Sequence, residues 1–170
     1  MPDPGPREAA KIVQLAGGEI IGSTRLQKIG CLLELVGAGV GFDYSYHLFG
    51  PYSEELSIAA TDADALDLID IKERTATWGG RYSIYRSLSD NTDSSDPSVG
   101  ALAKAAAAAN SVALELAVTA AFLAKNGYSN PWEEVAARKS AKATAEMMSQ
   151  AKSLYCDLRR LSVPVSLPAI

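Results

Sequence analysis

A chain of 170 residues with 48% hydrophobic and 21% charged side chains is long enough for one core, or for two small lobes sharing one, and needs no partner to fold. Its net charge of −4 argues against a surface built on nonspecific phosphate contacts, which need many Lys and Arg on one face. The longest nearly apolar stretch, 112–124, is interrupted by Glu115 and Thr119 and is too short for a bilayer span.

Residues 1–6 are Pro-rich, lack the basic start and apolar core of a secretory signal, and are expected to be a disordered start. Residues 8–16 read as a short helix with Ile12, Val13 and Leu15 inward, stopped by Gly17-Gly18. A second helix starts with Thr24 as N-cap and Gln27 three positions on, and carries the stripe Leu26, Ile29, Leu33 and Val36. Gly37-Ala38-Gly39-Val40-Gly41 follows a helix and precedes a strand, the reverse of a dinucleotide loop, and lacks the phosphate-loop Lys, so it reads as a turn. Residues 42–48 have the character of a strand, broken by Gly50-Pro51, after which Ser53 caps a third helix with Leu56, Ala59 or Ala60, Ala63 and Leu66 inward.

Two β-prone runs within 68–86 meet at Gly79-Gly80, a pair suited to the positive φ angles of a type I′ hairpin. Residues 87–98, rich in Ser and Asp, read as a linker. The Ala-rich segment 99–125 predicts one long helix or two abutting ones, Pro131 begins a short helical turn, and 137–161 predicts a last helix with Ala141, Ala145, Met148, Ala151, Tyr155 and Leu158 on one face. The expectation is a mainly α chain with a small β-hairpin: a degenerate winged-helix-like lobe over 7–86, a helical lobe packing on it over 99–161, and an apolar extended tail over 162–170. That tail either lies along the body or inserts into a neighbour.

Thr24-Arg25-Leu26-Gln27-Lys28-Ile29, Tyr46-His47 and Gly50-Pro51-Tyr52-Ser53-Glu54-Glu55-Leu56 together resemble the YwgA-like family of uncharacterised prokaryotic proteins. Leu114-Glu115-Leu116-Ala117, Phe122-Leu123, Trp132-Glu133-Glu134 and Arg138-Lys139 extend the likeness, which spans about 7–161. More distantly the arrangement is similar to the SocA-like, or Panacea, antitoxin domain, which implies a helical module that binds a partner toxin. The family usually carries an aromatic pair where this chain has Gly30-Cys31, which implies an altered surface there.

The third helix carries Glu54, Glu55, Asp62 and Asp64 with Asp67 beside it and no basic residue, so a nucleic acid groove would repel it. Asp62, Asp64, Asp67 and Asp70 lack the Gly and distal Glu of a calcium loop, and Cys31 and Cys156 have no zinc spacing, so no metal or cofactor is expected. His47, the single histidine, is the one group on which a hydrolase-type site could be built, with Ser53 or Cys31 as nucleophile; packing in the strand-to-helix corner with Tyr46 and Tyr52 is the expectation. Arg25 and Lys28, near a helix start, are expected to tie to Glu54 or Glu55, with an acidic partner or phosphate, or plain solvent exposure, as the alternatives.

Residues 1–90 hold 8 basic and 13 acidic side chains, whereas 91–170 hold 8 and 7. Arg138, Lys139, Lys142, Lys152, Arg159 and Arg160 concentrate positive charge on the expected last helix, which docks on the acidic lobe, binds an acidic protein or touches nucleic acid. Trp78 and Arg81 bracket the hairpin turn as a contact point or a cross-strand pair. The functional expectation is a cytoplasmic, non-catalytic, antitoxin-like or defence-associated adaptor that binds another protein, such as a toxin or effector, or a second copy of itself. Arg25, Lys28, His47, Tyr52, Trp78, Arg81, Trp132, Arg138 and Lys139 are its candidate contacts. The alternatives are a DNA-binding regulator acting through the wing and the last helix, and an enzyme built on His47.

Overall fold

A computed structural model describes residues 3–89 and 96–170. The first helix, α1 (Pro6–Leu15), starts at Pro6, where the missing N–H costs nothing, and the Glu8 carboxylate accepts the Gly5 N–H at 2.9 Å. Pro6 is therefore helical rather than part of a disordered start; Met1 and Pro2 lie outside the described residues. Gly17 and Gly18 both have positive φ, and the Gly18 N–H reaches back to Val13 O at 2.9 Å, a Schellman stop. The chain then forms β1 (Glu19–Ile21), a strand too short to leave a sequence pattern.

Helix α2 (Ser23–Leu35) is capped by Gly22, two positions before Thr24. Leu26, Ile29, Leu33 and Val36 are buried as the stripe predicts, but so are Gln27, Lys28, Gly30, Cys31 and Leu32, because α2 runs through the centre of the molecule. The expected strand over 42–48 shrinks to β2 (Ser45–His47). Gly50-Pro51, read as a breaker, instead opens β3 (Gly50–Tyr52), which pairs back antiparallel on β2.

Ser53 Oγ accepts the Leu56 N–H at 3.2 Å and starts α3 (Glu54–Ala65), with Leu56, Ala59, Ala60 and Ala63 buried. Leu66 is 62% exposed, since it caps the helix instead of continuing its stripe. β4 (Ile69–Thr75) and β5 (Arg81–Ser87) form the hairpin, but its turn is not type I′: only Gly79 has positive φ, and Ala76 N–H bonds Gly80 O across a three-residue loop. The order α1-β1-α2-α3-β4-β5 with strand order β1-β5-β4 is a winged-helix-like arrangement, with the β2–β3 hairpin inserted before the third helix.

Ser87 belongs to β5, and Asp96 caps α4 (Pro97–Ala108) through the Ser98 N–H, so the linker is shorter at both ends than 87–98; its 90–95 part lies outside the described residues. Asn110 separates α4 from α5 (Ser111–Lys125), an almost wholly buried helix set between α2 and α7. Helix α6 (Pro131–Arg138) follows, and α7 (Ala145–Arg159) starts at the Thr144 cap, eight positions later than its predicted start at 137. Thr144 Oγ1 accepts the Met147 N–H, and Lys139 is drawn inward, so the Ala-rich 139–144 turns instead of coiling.

Side chains from both sides of the linker enter one continuous core, including Ile12, Ile29, Leu102, Leu114, Val135 and Leu158. The apolar tail lies along the body: Val165 N–H bonds Val36 O at 2.8 Å, Arg159 Nε donates to Leu167 O at 3.1 Å, and Tyr155 Oη donates to Pro168 O. No helix among the described residues is long and apolar enough to cross a membrane.

Candidate functional site

The β2–β3 hairpin pairs His47 with Gly50 and so leaves Leu48 and Phe49 as its tip, 84% and 53% exposed. Gly50 must be glycine on two counts. Its φ is +87°, and a Cβ there would fall 2.5 Å from Thr119 Oγ1 of α5.

The base of this hairpin is gripped by buried polar groups from α2, α5 and the turn after α6. Gln27 exchanges two bonds with the Ser53 backbone, accepting its N–H at 2.8 Å and donating to its carbonyl at 2.9 Å. Lys28 Nζ donates to Pro51 O at 2.8 Å, and Lys139 Nζ to Leu48 O at 3.0 Å. Both oxygens of buried Glu115 are used, Oε1 by Lys139 and Oε2 by Lys142, each at 2.8 Å.

Lys28 is 1% exposed and has no direct acidic partner among the described residues. Burial therefore pulls its pKa down to about 8, against the opposing pull of Glu115. A buried ion costs several kcal/mol of desolvation, which only part of this network offsets by pairing.

Around the tip the surface is aromatic and cationic. The Arg138 guanidinium lies over Tyr46 at 4.8 Å and Tyr128 at 5.1 Å, and donates to Glu134 at 3.0 Å. Lys142 Nζ stands 4.6 Å from the Phe49 ring centroid. His47 packs at 5.0 Å on Tyr52, in the corner where packing was expected, with Nε2 meeting Ser45 Oγ at 3.0 Å.

Of the candidate contacts, Lys28, His47, Tyr52, Arg138 and Lys139 thus gather at this hairpin. Trp132 instead packs edge-on against Tyr155 of α7 at 5.8 Å. Arg25, Trp78 and Arg81 meet elsewhere, around a cavity of about 480 Å³ beside the β4–β5 turn. Ser53 Oγ is engaged as a cap, and burial pushes the Cys31 thiol up to about 12, so neither is set up as a nucleophile for His47.

Two expectations are corrected. Arg25 and Lys28 do not tie to Glu54 or Glu55: Arg25 donates to Ile21 O at 3.0 Å and Ala109 O at 2.9 Å, Lys28 points inward, and Glu54 accepts from Tyr52 Oη. The basic last helix also dissolves. Arg138, Lys139 and Lys142 precede α7, the two lysines share the single carboxylate of Glu115, and Arg160 pairs with Asp157.

Sequence reasoning missed Gln27, Leu48, Phe49 and the role of Glu115. For Glu115 a signal existed: it is the single charge in the apolar run 112–124, and a lone carboxylate there is buried and needs partners. Where the family resemblance implied an altered surface, Gly30 is buried, and the Tyr44 ring fills the space a side chain would occupy. No protein-family model, no curated protein and no solved structure matches this chain.

Proposed function

We propose that this chain is a cytoplasmic, non-catalytic adaptor that binds another protein through the β2–β3 tip, with Leu48 and Phe49 as apolar anchors and Arg138 and Lys142 as a basic rim. The observation that carries the reading is that Lys28 and Lys139, both buried, each donate to a hairpin carbonyl, Lys28 to that of Pro51 beside the tip and Lys139 to that of Leu48 within it. A core needing stability alone is better served by apolar side chains. Ions aimed at the backbone of an exposed turn instead fix its geometry, and a pre-set anchor loses little entropy on docking.

The partner fitting this surface offers an apolar pocket edged by carboxylates. The resemblance to the YwgA-like family and the Panacea antitoxin domain supports a toxin or defence effector in that role. Acidic α3 weighs against the DNA-binding alternative.

The test co-expresses the chain with the product of each adjacent reading frame that is toxic alone, and measures growth and co-purification. Rescue and co-purification that disappear in Leu48→Asp/Phe49→Ser support the proposal. Salt-sensitive, tight binding of random-sequence duplex DNA, with no tip-dependent protein partner, overturns it.

A further inference from the structure

The cavity of about 480 Å³ beside the β4–β5 turn is far from neutral: Arg25 and Arg81 line it and, among the described residues, no Asp or Glu does. It is open to solvent on one side, so a ligand there would be held by its charge and one ring face and not by enclosure. Arg25 is held in place by carbonyls, those of Ile21 and Ala109, so its charge is fixed but not cancelled. Arg81 meets Glu73 only at 3.7 Å, with both side chains largely in water, where such a pair is weak.

Trp78 supplies a flat surface at the same place. Its ring lies on Gly80, where a Cβ would fall 1.8 Å from ring atoms, so that glycine permits the pose. Yet the residue is 81% exposed, leaving indole surface free. Ser23 and Thr24 are also in the lining, at a helix start that has neither a side-chain cap nor an acidic residue. Uncancelled guanidinium charge selects an anion, and a bare indole selects a planar ring.

We propose that this cavity binds a nucleoside phosphate, free or as the 5′ end of a strand, with its phosphate at Arg25 and Arg81 and its base stacked on Trp78. The site is independent of the hairpin tip and of the adaptor reading.

The chain has two tryptophans, so Trp132→Phe isolates Trp78 as a fluorescent reporter. Titrations use AMP, adenosine, inorganic phosphate, and a short DNA strand with and without its 5′-phosphate. Saturable quenching by AMP identifies the free nucleotide, and quenching by the phosphorylated strand alone identifies a strand end; either supports the site. Adenosine, phosphate and the unphosphorylated strand are expected to bind at least tenfold more weakly, and Arg81→Gln, at an exposed side chain that leaves the fold intact, to weaken the phosphorylated ligand about tenfold. No saturable quenching by either phosphorylated ligand up to about 10 mM, or quenching unchanged by Arg81→Gln, overturns the proposal.

Discussion

The ammonium of Lys139 links the buried carboxylate of Glu115, at 2.8 Å, to the carbonyl of Leu48, at 3.0 Å and 91 positions earlier in the chain. It thereby connects the middle of α5 to the tip of a hairpin inserted in the winged-helix half. Glu115→Ala leaves Lys28 and Lys139 buried without a counter-charge, and the expected loss is about 3–5 kcal/mol of unfolding free energy. The all-apolar replacement Lys28→Met/Glu115→Leu/Lys139→Met is expected to be neutral or stabilising by comparison. In that variant the amides of 48–52 should exchange with solvent faster while the α5 amides keep their protection. An ordered tip in a strongly destabilised triple variant would show that the ions serve stability and not placement.

The tip itself is expected to matter little to the fold. Leu48 and Phe49 are mostly in solvent, and Leu48→Asp/Phe49→Ser removes the approach of Lys142 to the Phe49 ring, an interaction at the protein surface. Denaturant unfolding should therefore change by less than about 1 kcal/mol. Partner affinity should fall about 30-fold or more, the effect of removing a central anchor. Equal losses in both measurements would mark the pair as structural.

The elements that organise the fold are largely legible in the sequence. Ser53 as cap of α3 and the α2 stripe follow from local chemistry that the tertiary structure leaves in force, whereas 99–125 leaves one long helix or two abutting ones open and the structure breaks it at Asn110. The site is legible only as separate motifs. A lysine inside a helix reads as solvent-exposed, and the acceptor of Lys28 is a backbone carbonyl, which leaves no trace in sequence. Gly50-Pro51 reads as a break, yet Gly50 at φ +87° and a proline with no N–H still pair with β2. Residues 139–144, expected to be helix, turn instead, because Lys139 is tethered to Glu115 and Thr144 caps α7.

Gly30 and Tyr44 offer a cleaner perturbation. The Tyr44 hydroxyl sits where a Gly30 side chain would be, and it is buried without a hydrogen-bond partner among the described residues. An unsatisfied buried hydroxyl costs about 1–3 kcal/mol, less what its packing returns. Tyr44→Phe keeps the ring and removes the orphan group, so a gain of about 1 kcal/mol is expected in urea unfolding. Gly30→Ala, whose Cβ would fall 2.1 Å from that hydroxyl oxygen, should destabilise the wild type and be partly rescued by Tyr44→Phe.

Lys28 sets a pH signature. Its pKa is lowered from 10.5 to about 8 in the fold, so between those values the unfolded chain binds the extra proton. Stability gained from this group therefore rises with pH across that window; the burial penalty on the charged amine is fully present below about 8. The total is about 3 kcal/mol, from 1.36 kcal/mol per unit. Measured against wild type, Lys28→Met should be relatively more stable at pH 7 than at pH 10, because only the wild type relieves a penalty as the medium becomes basic. A wild-type minus Lys28→Met difference that stays flat from pH 7 to pH 10 would mean that the buried ammonium is fully compensated by Glu115 across the core.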